Sequence, residues 1–272
     1  MTQELTVLKL GGALITDKSS PYSIKLDVLK SAANEIRTCI DEGLIQRLVI
    51  IHGVGSFGHP PVLKYNLHRG YQGEEQLLPF SWTQAKVNEL RTIVMNTLHN
   101  AGIRVVLFHP SSFIVANKMQ VVSYFLEPIQ SFIDLNMVPL IGGDIVVDRT
   151  MKFSIGSGDA IAALIAREMN AKRVIFATDV SGVFDNDPKV NPNAELFDKL
   201  DLSNLDEAIT SMGKAGVEDA SGAMKGKIAS VEPLKDLIQK GLDVSIISMT
   251  ETGNLKALLK GDTSNSTQIV FS

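Results

Sequence analysis

Cysteine is all but missing: Cys39 is the only one among 272 residues. A single thiol excludes an intrachain disulfide and any cysteine-based zinc site, so a reducing compartment is expected, with cytoplasmic localisation. Long apolar runs are missing too. None approaches the roughly 20 residues that span a bilayer, and the opening MTQELTVLKLGG lacks the basic and apolar regions of a leader peptide. No membrane partner is expected. Nor is there an excess of positive charge: 26 Lys and Arg are interleaved with 30 Asp and Glu for a formal net charge of −4. No polycationic face is available to neutralise nucleic-acid phosphates, so no nucleic-acid partner is expected. Fixed-period repeats, low-complexity tracts and Pro/Ser-rich linkers are absent as well, which points to one domain over 1–272. A chain of this size buries roughly three quarters of its unfolded surface and needs no staples to hold a core.

What is present is alternation. LTVLKL (5–10), RLVII (47–51), RVVLF (104–108), VPLIGG (138–143), RVIFAT (173–178) and DVSIIS (243–248) read as strands. Between them, 25–42 places Leu26, Leu29, Ala33, Ile36 and Ile40 at helical spacing, and 83–99 does the same with Val87, Leu90, Val94 and Leu98. GDAIAALIAREM and 223–240 read as further helices, DIVVD (144–148) as a hairpin arm, and the closing TQIVFS as an antiparallel edge. Short β-rich runs taking turns with helices predict an α/β fold with a mostly parallel sheet and helices on both faces.

In such sheets ligands sit beyond the carboxyl ends of the strands. Here those ends read KLGGAL, HGVGSFGH, GGD, GSGDA and TDVSGVFDNDP. Glycine or aspartate ends nearly every one. Together they would form a rim of backbone N–H donors suited to a polyphosphate, helped by helix N-termini; singly, each glycine would serve a tight βα turn equally well. No P-loop is present. GVGSFG has the spacing of a dinucleotide fingerprint, but no acidic residue ends a strand about 20 residues on, and Pro60 and Pro61 interrupt the helix that such a unit needs.

Six of these motifs, KLGGALIT, HGVGSFGH, GGDIVVD, SGDAIA, TDVSGVFDNDP and SGAMKGK, resemble in order and identity those of the amino acid kinase superfamily. The HGVGSFGH segment resembles in particular that of isopentenyl phosphate kinases. The likeness runs from Lys9 to about Lys227 and the strand after it. It implies a three-layer αβα sandwich on an open, mostly parallel sheet, with an acceptor-binding lobe over about 1–170 and an ATP-binding lobe over about 171–272. It also implies transfer of the γ-phosphoryl group of ATP, with Mg2+, to isopentenyl monophosphate, and a homodimer. Kinases of other small phosphates or phosphonates such as fosfomycin, and a non-catalytic nucleotide-binding protein, are the alternatives on this fold.

The chemistry agrees with the likeness. Two anionic reactants must be brought together, and the transition state asks for position and positive charge more than for covalent help. By resemblance, Lys9 and Lys227 contact the ATP phosphates and the transferring group, Lys18 stabilises the transition state, and Asp159 organises the lysines. Gly11, Gly12, Gly55, Asp179, Gly182, Asp185, Gly222 and Ala223 are the implied nucleotide side; Gly53, Val54, Gly55, His59, Ser157 and Gly158 are the implied acceptor side. A phosphate monoester is already a nucleophile at neutral pH, so His59 is expected to donate an N–H to a non-attacking oxygen rather than to act as base. His52 reads as a structural histidine at the strand end. No dedicated metal cage is visible, so the cation would ride on the nucleotide. Val54 and Ala223 depart from the glycines usual in the family, and Ser221 from its threonine. Phe80, Trp82, Val87, Ile93, Val94, Phe113, Val122 and Ile129 would line a prenyl tunnel or, equally, an ordinary core.

Overall fold

Continuous runs of Val, Ile and Leu decide the architecture, because a parallel strand covered on both faces has no solvent side on which to place polar residues. The computed structural model describes residues 3–17, 19–188, 190–203 and 226–272. Its strands are β1 (Leu5–Leu10), β2 (Arg47–His52), β3 (Val105–Phe108), β4 (Ile114–Asn117), β5 (Gln120–Tyr124) and β6 (Val138–Gly142). There follow β7 (Asp144–Asp148), β8 (Lys152–Gly156), β9 (Arg173–Thr178), β10 (Lys199–Asp201), β11 (Asp243–Ser248) and β12 (Ser266–Val270). The main sheet has eight strands in the order β10-β12-β11-β9-β1-β2-β6-β3, and a smaller one has the order β5-β4-β7-β8. In the main sheet every neighbouring pair is parallel except β11 with β12.

Alternate residues of the central strands feed two cores. Val7, Val49, Ile51, Val174 and Phe176 face one side, against Ile161, Ala162 and Ile165 of a helix and Ile129 and Ile133 of another. Those helices are α6 (Gly158–Glu168) and α5 (Glu127–Asp134). Leu8, Leu10, Leu48, Ile50 and Ile175 face the other side, against Leu29, Ala33 and Ile36 of α2 (Leu26–Asp41) and Leu90, Val94 and Leu98 of α4 (Leu77–Asn100). Two helix layers around one sheet make the expected sandwich. A four-residue α1 (Gly12–Ile15) follows β1, and α3 (Gly55–Lys64) follows β2.

Four details differ from the sequence reading. Helix α3 runs through Pro60 and Pro61, where an interruption was expected. Helix α4 starts at Leu77 rather than 83, with Pro79 tolerated in its first turn. The closing strand β12 is antiparallel to β11 as expected, but β10 pairs on its far side and takes the edge. The helix expected over 223–240 is broken: 226–231 is helical, Glu232–Leu234 is a 3-10 turn around Pro233, and Lys235–Ile238 is helical again.

The β4–β5 hairpin turns through Lys118 and Met119, both at positive φ (49° and 68°), without a glycine or asparagine to ease it. Asp148 supplies the reason. Its carboxylate accepts the backbone N–H groups of Lys118 (3.1 Å), Met119 (2.8 Å), Thr150 (3.0 Å) and Met151 (2.9 Å), tying both hairpins together. Burial alone would raise its pKa, but these amide donors outweigh it and hold the carboxyl at about 2. Asp148→Ala is expected to cost about 2–3 kcal/mol, since the orphaned amides regain water only in part. In the wild type this contribution is complete above the unfolded aspartate pKa of about 3.9 and is lost as pH falls toward the folded value. Denaturant unfolding at pH 7 and pH 2.5 checks both statements; equal losses at the two pH values would contradict the second.

Candidate active site

Lys9 sits next to last in β1, opposite Ile51 of β2 and Phe176 of β9, so its side chain leaves the sheet on the α6 face. Asp159 is in the first turn of α6, where the helix N-terminus favours a carboxylate. Lys227 lies in the helical segment 226–231. The three meet. One oxygen of Asp159, Oδ1, receives Lys9 Nζ at 2.8 Å and Lys227 Nζ at 3.1 Å, and both lysines are only 6% exposed. Lys227 Nζ also stands 4.8 Å from the centre of the Phe176 ring.

Electrostatics follow from this geometry. Burial would raise the Asp159 pKa, but Lys9 and Lys227 outweigh it and hold the carboxyl at about 2. Burial and then Lys9 push Lys227 down to about 8, with Asp159 pulling the other way. Lys227 is therefore mostly protonated at pH 7 and loses its charge as pH rises through about 8. The kcat/KM profile, which reports the free protein, is expected to fall on the alkaline side with that midpoint. Lys227→Arg should remove this limb whatever its effect on rate, because a guanidinium keeps its proton. A flat profile from pH 7 to 9.5 in the wild type would contradict the assignment.

Asp159 does not cap α6; Ser157 does, its Oγ accepting the N–H of Ala160 at 3.1 Å. This leaves the carboxylate to the lysines. Gly158 lies against the end of β2, where a Cβ would come within 3.2 Å of the His52 carbonyl oxygen.

The glycine exits of β1 and β2 pack backbone to backbone. A Cβ on Gly12 would lie 2.6 Å from Gly55 N, and one on Gly53 would lie 2.5 Å from Gly12 N. Gly55 combines φ +44° with a Cβ position 2.0 Å from Thr16 Oγ1, so no side chain fits there. The rim of donors is thinner than expected. The Gly11 N–H goes to Ala177 O (2.8 Å), that of Gly53 to Leu10 O (2.8 Å) and that of Gly143 to His52 O (3.1 Å). Among the described residues no hydrogen bond engages the amides of Gly12, Val54 and Gly55. Val54 adopts φ −93° and ψ −19°, an ordinary right-handed conformation, so its branched side chain carries no strain. It fills the space above Gly58 and Gly143, whose Cβ positions would fall 2.5 Å and 3.0 Å from its methyl groups.

His59 stands in the second turn of α3, the helix that leaves the same sheet edge directly after β2. His52 is fully buried; its Nδ1 is 3.0 Å from Gly53 O and its ring covers Gly142, as a structural histidine should. Burial and Arg91 lower its pKa to about 3. Asp179 follows β9 directly at that edge. Asp185 is tied to Glu195 by N–H contacts in both directions, at 3.1 Å and 2.8 Å, and Gly182 packs where a Cβ would strike Thr267 Oγ1 at 2.3 Å. Lys18, Gly222 and Ala223, with Ser221, lie outside the described residues.

Sequence reasoning missed Arg91, which is 1% exposed in α4. It meets His109 Nδ1 at 2.7 Å, Gly143 O at 3.2 Å and Asp144 Oδ2 at 3.9 Å. Asp144 in turn accepts the Ser111 hydroxyl at 2.9 Å. The signal was there: Arg91 stands on the apolar stripe of Val87, Leu90 and Val94. Of the proposed tail residues, Phe80 lines a cavity of about 200 Å³ together with Leu77, Ile145, Val146 and Phe153. Val87, Val94 and Ile129 belong to the core.

A sheet edge with two lysines held by one carboxylate beside glycine-packed loops has the charge and the bare backbone that phosphate binding requires. Comparison with known proteins agrees. The model of the amino acid kinase family matches residues 4–248. The isopentenyl phosphate kinase of Methanothermobacter thermautotrophicus is 35% identical over 97% of this chain and 98% of its own length. That of Methanocaldococcus jannaschii is 33% identical over 85% and 88%. A crystal structure of isopentenyl phosphate kinase superposes with a TM-score of 0.80 at 33% identity, covering 98% of this chain and all of that one. The chain belongs to the amino acid kinase family and, within it, to the isopentenyl phosphate kinases.

Proposed function

We propose that this protein transfers the γ-phosphoryl group of ATP to a phosphate oxygen of isopentenyl monophosphate, giving isopentenyl diphosphate and ADP. The observation that carries the reading is the convergence of Lys9 and Lys227 on Asp159, at the sheet edge from which α3 and His59 depart. The bond between the γ-phosphorus and the bridging oxygen breaks as the acceptor oxygen bonds to the same phosphorus. No base is required, because the acceptor phosphate is already ionised. The two ammonium groups offset the charge that accumulates on the transferring group, and the imidazole N–H of His59 holds a non-attacking acceptor oxygen. The amides of Gly12, Val54 and Gly55, which no hydrogen bond engages among the described residues, add donors where the two loops meet.

Among the described residues no group of three His, Cys, Asp or Glu side chains could cage a metal, and Asp159 is already engaged by two lysines. This donor set suits an anion, so Mg2+ is assigned to the nucleotide phosphates, where it would neutralise charge on the β- and γ-oxygens. Residues 171–272, with Asp179, Gly182, Asp185, Gly222 and Ala223, are assigned to ATP, and residues 1–170 to the acceptor. The cavity lined by Phe80, Ile145 and Phe153 is mostly apolar, as a prenyl chain requires, with Gln84, Ser111 and Lys152 also on its wall. No helix among the described residues is long and apolar enough to cross a membrane. A cytoplasmic homodimer completes the reading, and light scattering tests the oligomeric state.

ADP release over a panel of isopentenyl, dimethylallyl and geranyl monophosphates, fosfomycin, glutamate and UMP tests the acceptor. Isopentenyl monophosphate is expected to give the highest kcat/KM; a tenfold lead for any other member overturns the assignment. His59→Ala should cost on the order of 2–4 kcal/mol of transition-state stabilisation. Turnover unchanged in that variant would remove its role as donor.

A further inference from the structure

We infer that Tyr22 and Trp82, braced by Lys86, form a latch that positions residues 19–23 of the loop after β1 against the acceptor side of the site, which makes both aromatic residues positioning residues for phosphoryl transfer. The inference rests on the phosphoryl-transfer reading above and adds to it a device for holding residues 19–23 against α3 and α4.

The latch has a backbone half and an aromatic half. At its base the loop is closed by the bridge between Thr16 and Ile24 and by the Asp17 N–H to Ser23 O bond of 3.0 Å. From there it is tied to one residue of α3. Ser56 donates its N–H to Thr16 Oγ1 (3.0 Å) and its hydroxyl to Ser23 O (3.2 Å), and its carbonyl faces the Tyr22 N–H at 3.5 Å. That carbonyl is open to the loop because of sequence: its helical donor would be residue 60, and Pro60 has no N–H. The proline that seemed to argue against a helix here gives the helix a point of attachment. Ser56 lies three residues before His59, about one turn, so the loop and the imidazole are anchored to the same stretch of backbone.

The aromatic half fixes the far side. Tyr22 sits at φ +55°, a conformation that a bulky side chain keeps only where its surroundings impose it. Its ring meets Trp82 of α4 edge-on at 5.5 Å and 90°, and Phe57 of α3 at 5.8 Å and 74°. Lys86 Nζ stands 5.6 Å from the centre of the Tyr22 ring and 5.9 Å from that of Trp82, and is itself held by Glu89 at 2.8 Å. One ring on the loop thus gathers side chains from both α3 and α4. Trp82 remains 39% exposed, so the contact lies at the surface, where a loop can adjust to a ligand. It is also the only tryptophan in the chain, which gives the latch its own optical reporter.

The test uses the full-length protein with isopentenyl monophosphate as probe. Trp82 emission is expected to change when the probe is added without ATP. Tyr22→Ala should abolish that change and raise the acceptor KM at least fivefold, leaving the KM for ATP within twofold. Tyr22→Phe, which keeps the ring, should behave as the wild type. Trp82→Leu, which removes the partner from the other side, should reproduce the KM pattern of Tyr22→Ala, and decides the matter alone if Tyr22→Ala fails to fold. A smaller rise in acceptor KM, or an equal rise for both substrates, overturns the latch, as does wild-type emission indifferent to the probe. Wild-type protein that is folded yet transfers nothing to isopentenyl monophosphate overturns the acceptor reading instead, a result separate from an active wild type with insensitive variants.

Discussion

Asp159→Ala is expected to lower kcat by a thousandfold or more, about 4 kcal/mol or above in activation free energy. The size follows from how much one oxygen does. Asp159 Oδ1 is the shared partner of two buried ammonium groups, Lys9 at 2.8 Å and Lys227 at 3.1 Å. Without it the two cations face each other with nothing between them. Lys227, already pushed down to about 8 by burial and by Lys9, loses the carboxylate that was holding its proton. It should then be largely neutral at pH 7.5 and of little use to a transferring phosphoryl group. The defect therefore carries a sign in pH. Lowering the pH from 8 to 6 should restore charge and part of the rate in Asp159→Ala, whereas the wild type should be nearly flat below pH 7. Asp159→Asn keeps the volume and a polar oxygen but not the charge, and is expected to lose almost as much. Single-turnover kinetics with saturating ATP checks the set. A variant that keeps more than a tenth of wild-type turnover would show that the lysines are positioned by something else.

How much of this was legible beforehand depended on the physical signal each part leaves. The central strands β1, β2, β9 and β11 were plain, because a strand buried on both faces writes an unbroken apolar run. The helices α2 and α6 declared themselves through period and small residues. The strands β4 and β5 did not: their turn uses Lys118 and Met119, residues that carry no turn signal, and depends on Asp148 from a distant part of the chain. The three-residue β10 is too short to show a pattern. Pro60 and Pro61 misled, since a helix near its start tolerates a missing N–H when the freed carbonyl finds another partner, as that of Ser56 does in Tyr22.

The site divides in the same way. Lys9, Asp159 and Lys227 stood in motifs whose likeness to a known family could be read, and they converge as that likeness implied. The glycines were read as donors of N–H groups, yet at Gly11 and Gly53 those groups serve the backbone, and the absence of a side chain serves packing. Spacing alone cannot distinguish a glycine kept for its amide from one kept for its lack of a Cβ, because both uses select the same residue at the same strand end.

Arg91→Met is expected to destabilise the protein by about 3–5 kcal/mol, because removing one member of a buried charged group strands the others. The methionine would fill most of the volume, so the loss isolates the polar contacts. Those left behind are the Asp144 carboxylate at 3.9 Å, the Gly143 carbonyl at 3.2 Å, the His109 ring at 2.7 Å and the Asn88 amide oxygen at 2.5 Å. His109, lowered in pKa by burial and then by Arg91, is a neutral acceptor toward the guanidinium. With Arg91 gone, only burial still opposes the raising effect of Asp144, and His109 should take up a proton more readily; its imidazole resonances would titrate at higher pH than in the wild type. At roughly 2–4 °C per kcal/mol for a chain in this size range, the melting temperature should fall by about 10 °C. Arg91→Met combined with Asp144→Leu should recover part of the loss, since an apolar pair in place of a buried ionic one is often no less stable. A melting temperature within 2 °C of wild type for the single variant would mean that water replaces the guanidinium freely. Gly143 follows β6 in the half that the proposed function assigns to the acceptor, so on that reading the same variant should also raise the acceptor KM. In that event a residue with no atom on the substrate acts through the Gly143 carbonyl that it holds, at the strand exit whose N–H bonds to His52 O.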